Sequence, residues 1–162
     1  MERPTPTTST SPSRPTRTRA PRAAPPHGER ASTDPRETPI AKRELHALVE
    51  RFTQTIEHPV EQAIAPHAIH ALVAFAAIHR KPTRTITLGW IDPRLVIEGT
   101  PIDDEHPAGL AACYFAVLAA FFRFRADEGA LDREAAARLA ATYVQAAAAL
   151  AQLEVEERGP RS

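Results

Sequence analysis

The sequence predicts an α+β fold, mostly helical, with helices packed on a β-hairpin, a long Ala-rich C-terminal helix and a disordered N-terminal tail. Three observations predict it. Apolar residues recur at helical spacing in four stretches beyond residue 44. The period falls to two in RTITLGWID, residues 84–92. Nine of the sixteen prolines crowd into residues 1–39, among Thr, Ser and Arg with almost nothing apolar to offset the entropy of ordering.

Residues 1–38 therefore read as a flexible basic tail, with seven Arg against Glu2, Glu29, Asp34 and Glu37. Order is expected from TPIAKREL onward, with Thr38 as an N-cap and Pro39 at the first helical position. That sets one folded domain over residues 39–158 and a short C-terminal tail over 159–162. In the first helix Leu45, Leu48, Val49, Phe52 and Ile56 follow the spacing of a core stripe. His58-Pro59 ends it. A second helix runs to about Lys81, buries Ile69, Leu72, Val73 and Ala76, is kinked or restarted at Pro66, and is closed by Pro82.

In RTITLGWID, Ile86, Leu88 and Trp90 face one side of a strand. Asp92-Pro93 suits a type I turn, and LVIEG, residues 95–99, returns as the second strand of a hairpin. Two strands alone are marginal in water, so helical side chains should cover that face and bury Trp90. An uncharged helix follows from about 107 to 119, and FFRFR, residues 121–125, alternates as a possible short third strand. The last helix, about 132–157, has Asp132 and Glu134 near its N-terminus and Gly159-Pro160 beyond its end. Leu139, Tyr143, Ala146, Leu150 and Leu153 form a heptad-like seam along it, suited to the core or to a homodimer.

Most catalytic chemistry is excluded. All five serines lie in the tails, and the only lysines, Lys42 and Lys81, sit outside any glycine-rich loop, so serine-nucleophile and nucleotide-loop readings fail. Cys113 is the lone cysteine, in an apolar setting that makes a thiol inert. No disulfide can form within the chain, which fits a reducing cytoplasmic compartment. The first fifteen residues have no apolar run, so no secretory leader is expected, and prolines oppose the amphipathic helix of a transit peptide.

Histidine and carboxylate chemistry survives this elimination. His67 and His70, three apart on a helix, lack a local third ligand. They read as half-buried, hydrogen-bonded residues at the border of the apolar stripe. DDEHP, residues 103–107, reads as a polar turn facing the N-terminus of the next helix. No metal and no cofactor are expected.

In the tail, Arg14, Arg17, Arg19 and Arg22 are the candidate binding residues, able to contact phosphates without aromatic stacking. PSRPTR, residues 12–17, matches an extended SH3-type ligand, and Thr5, Ser11 and Thr38 each precede proline as possible phosphorylation sites. The functional expectation is a small non-enzymatic, protein-binding regulatory or adaptor protein. The alternative is a nucleic-acid-associated accessory protein using the Arg-rich tail; a His/carboxylate metal enzyme comes third. A protein partner is expected, and membrane binding is not.

Overall fold

The computed structural model describes Pro4, residues 34–81 and residues 83–159; most of the predicted tail, including Arg14, Arg17, Arg19 and Arg22, lies outside them. The body is α+β and mostly helical. Strand β1 (Ile40–Ala41) leads through a 3-10 turn (Lys42–Glu44) into α1 (Leu45–Gln54) and α2 (Pro59–His79). Strand β2 (Thr85–Ile86), α3 (Pro93–Gly99), α4 (Ala108–Asp127) and α5 (Arg133–Arg158) follow.

Helix α4 is central and packs on both α2 and α5. The aromatic residues of the core meet along it. Phe121 and Phe124 contact Phe52 of α1 at 5.3 and 5.4 Å between ring centroids. Phe122 stacks almost parallel on Tyr143 of α5 at 6.0 Å. Leu139, Tyr143 and Leu150, three members of the predicted seam, are buried on the helix whose principal neighbour is α4. Leu153 remains 49% exposed. The ends of α5 obey the sequence signals. Asp132 caps it by accepting from Ala135 N–H at 3.0 Å, and Gly159 takes φ 63° at its C-cap, a conformation that side chains with Cβ disfavour.

The two-stranded sheet is not the predicted hairpin. Ile86 pairs antiparallel with Ile40, and Thr85 with Ala41. Residues 93–99 are helical instead of forming a return strand. The reason lies in Asp92-Pro93, which serves a helix start as well as a turn. Asp92 accepts from Arg94 N–H at 3.0 Å, and Pro93, buried, needs no hydrogen bond at that position.

FFRFR is not a strand either; α4 runs unbroken through it. Phe121, Phe122 and Arg125 are buried, whereas Arg123 is exposed, which is helical periodicity. Thr38 and Pro39 cap no helix, because Ile40 is already extended. Pro66 lies inside an uninterrupted α2, and Pro59 occupies that helix's first turn.

The body also takes in residues 34–38, which composition groups with the tail. Glu37 accepts backbone N–H bonds from Leu88 at 3.0 Å and Gly89 at 2.7 Å. Thr38 N–H donates to Ala130 O, and Arg36 O accepts from Asp132 N–H. Buried Arg125 donates to Thr38 O at 2.8 Å.

Candidate functional site

Helix α2 is apolar enough, at a mean hydropathy of 1.2 over 18 residues, to pass for a membrane span, yet only 28% of that window is buried. Helix α4 passes the same test of length and composition and is 50% buried, as a core helix should be. The apolar excess of α2 is therefore directed outward. Ala63, His67, His70, Ala74 and Ala77 are all exposed and repeat at alternating four and three, so they form one stripe.

His67 and His70 are thus exposed, not half-buried as their border position suggests. The core demands only one face of α2, and Ala65, Ala68, Ile69, Leu72 and Ala76 supply it. Among the described residues no three His, Cys, Asp or Glu side chains converge on a possible metal position.

Beside the stripe lies an open groove of about 360 Å3 between α2, the end of α3 and α4. Its floor is Ala68, Leu72, Ala111, Phe115 and Leu118, all buried. Its walls are Phe75, Val96, Leu110 and Tyr114, each half-buried. Alanines on the floor leave the depth, and large side chains on the walls define the sides. Exposed Ala71 and Gly99 stand at the mouth. The Thr100 hydroxyl in the lining is already bonded to Val96 O at 2.7 Å. Such a surface binds mainly by apolar burial.

His106 stands at the edge of the groove and belongs to a self-contained turn. Asp103 accepts from the backbone N–H groups of Glu105 and His106 and pairs with the His106 ring at 2.9 Å. The His106 ring, with these backbone bonds, holds the Asp103 carboxyl below the ordinary carboxylate range. The acidic DDEHP segment is therefore a structured turn at one edge of the groove, preceding α4.

Two further titratable groups are constrained by burial. Cys113 is half-buried, and burial together with the charges of Glu61 and Glu154 pushes its thiol up, away from the reactive thiolate. Glu37 is pushed up by burial, against the pull of the Gly89 and Leu88 N–H groups and of the Arg125 charge.

Trp90 is half-buried against the core and not enclosed by helices. Its Nε1–H donates to Thr87 O at 2.8 Å, and the Arg80 guanidinium lies 3.8 Å over its ring. The helical return at 93–99 removes the hairpin face that would have enclosed it.

Sequence reasoning missed the groove because its lining reads as ordinary core. The available signal was α2 itself, whose apolar positions span more of the helix circumference than one neighbour can cover. No protein-family model, curated protein or solved structure matches the chain.

Proposed function

We propose that the chain is a non-enzymatic binding protein of regulatory or adaptor type, and that the α2–α3–α4 groove takes apolar side chains of a helix on a protein partner. One observation carries this reading: exposed Ala71 in the groove lining neighbours His67 and Ala74 of the exposed α2 stripe at helical spacings of four and three. A helix laid along small residues approaches closely, and its large side chains have a pocket to enter. Two imidazoles in the stripe favour a protein occupant over a bilayer, because a protein surface can hydrogen-bond them and hydrocarbon cannot.

The test is Ala71→Arg, placed at the exposed mouth of the groove. Its charge and bulk should block entry and leave the fold intact, since surface changes ordinarily alter stability by less than about 0.5 kcal/mol. Tagged wild-type and variant proteins are compared by affinity capture from the native host. A protein retained by the wild type and lost from the variant supports the reading. Identical capture by the two forms overturns it.

A further inference from the structure

A second groove lies on a different part of the body, and its chemistry is anionic recognition. The β1–β2 pairing joins two basic segments that are far apart in the chain. Lys42 N–H donates to Arg84 O at 3.1 Å, so Lys42 and Arg43 run beside Arg84 and Lys81. All four are exposed. The body beyond residue 38 has more acidic than basic side chains, so this concentration runs against its average charge.

The groove that results has a volume of about 420 Å3. Its lining includes Lys42 and Lys81, the only two lysines in the chain, and the threonines at 83, 85 and 87 add hydroxyls. Val73, Ala76 and Ile86 give it apolar surface, which suits a flat organic ring better than a bare inorganic anion.

Arg80 is the feature that selects among anionic partners. One face of its guanidinium rests on Trp90. Its in-plane N–H groups grip Asp34 at 2.8 and 3.2 Å. The side chain is nevertheless 50% exposed and lines the groove. A guanidinium plane held by an aromatic ring and a carboxylate is a preformed platform for stacking a nucleobase. Asp34 also joins this groove directly to the chain that precedes it, where six Arg stand against Glu2 and Glu29. A basic segment covalently tied to a basic groove suits a polymer of phosphates better than a single phosphorylated side chain.

We infer that this groove binds single-stranded nucleic acid, with phosphates along Lys42 and Lys81 and a base stacked on Arg80. The groove shares no lining residue with the α2–α3–α4 groove, meets only the Ala77 end of the α2 stripe, and its occupancy does not depend on that site.

Trp90, the only tryptophan, reports occupancy directly. The full chain is titrated with an oligothymidylate of about 15 nucleotides, within the span of one single-strand binding site, while Trp90 emission is followed. Saturable quenching is expected, and its affinity should fall as salt rises. In Lys42→Gln/Lys81→Gln, binding should weaken about tenfold, and the slope of log affinity against log salt should drop by about 1.4, two phosphate contacts at about 0.7 each. An unchanged thermal midpoint shows that the variant is folded. The inference is overturned by an oligonucleotide that leaves Trp90 emission unaltered, or by a double variant that binds like the wild type, which would assign binding to the N-terminal arginines alone. It is equally overturned if phosphatidylglycerol vesicles change the emission and the oligonucleotide does not.

Discussion

Glu37 shows how one side chain can organise a loop it does not belong to. Its carboxylate accepts from the N–H groups of both Leu88 and Gly89. Gly89 permits this close approach, because a Cβ would stand 2.9 Å from Leu131 Cδ1 and 3.0 Å from Glu37 Oε2 and Pro35 Cγ and would have to displace them. Glu37→Ala should cost about 2–3 kcal/mol by stranding partly buried N–H groups, measurable by urea denaturation.

Glu37→Gln tests the electrostatics. Burial raises the folded-state value, so the contribution of Glu37 is complete below its ordinary 4.5 and is lost as pH rises through the folded value. The stability of the wild type relative to Glu37→Gln should therefore decline as pH rises from about 4.5 through the raised folded-state value. Parallel pH profiles would contradict the burial of this carboxyl.

His67 and His70 carry the opposite lesson. Spacing placed them together on one helical face, and the structure keeps them together; the expectation that they are half-buried failed, since burial depends on which neighbours cover α2. Because they are exposed, His67→Ala/His70→Ala should move stability by no more than about 0.5 kcal/mol per site and should weaken partner capture. A large stability loss with capture intact would make them structural.

At the scale of elements, the helices were legible where periodicity and caps agreed. Helix α5 is the clearest case, with Asp132, Glu134 and Gly159 at its ends. Helix α1 followed its stripe of Leu48, Val49 and Phe52. Strand β2 was legible at Ile86, but its partner was not. Ile40–Ala41 is two residues long, too short for any period to register, and long-range pairing leaves no local mark. The sequence LVIEG failed for a different reason. Its β-branched residues favour a strand, yet Asp92-Pro93 starts a helix, and the burial of Pro93 with the half-burial of Val96 and Ile97 favours it.

That short helix depends heavily on its cap. Asp92→Ala should cost about 1 kcal/mol and should loosen the Val96 and Thr100 wall of the apolar groove. Hydrogen exchange is the direct check. Faster exchange across residues 94–99, with α5 unchanged, is expected. Uniform exchange across the body would mean that α3 has no separate stability.

For the molecule as a whole, the neutral total charge conceals separation. Basic residues gather before Asp34 and around the β1–β2 edge, while the apolar groove has Asp103, Asp104 and Glu105 near its His106 edge. The β1–β2 edge and the apolar groove are different surfaces with different chemistry, as the proposed adaptor role requires. The groove itself was illegible in the sequence. It is assembled from α2, α3 and α4, and residues such as Phe75, Val96 and Tyr114 look like core until their neighbours are known.

Docking of a partner helix in this groove is tested most directly by site-specific photo-crosslinking. A photoreactive residue is placed at position 71, at the groove mouth, and in a separate protein at position 148, an exposed site on α5. Irradiation in the native host should give a discrete protein adduct from position 71 and none of that size from position 148. Adduct formation from both positions alike, or from position 148 alone, would contradict docking at the groove.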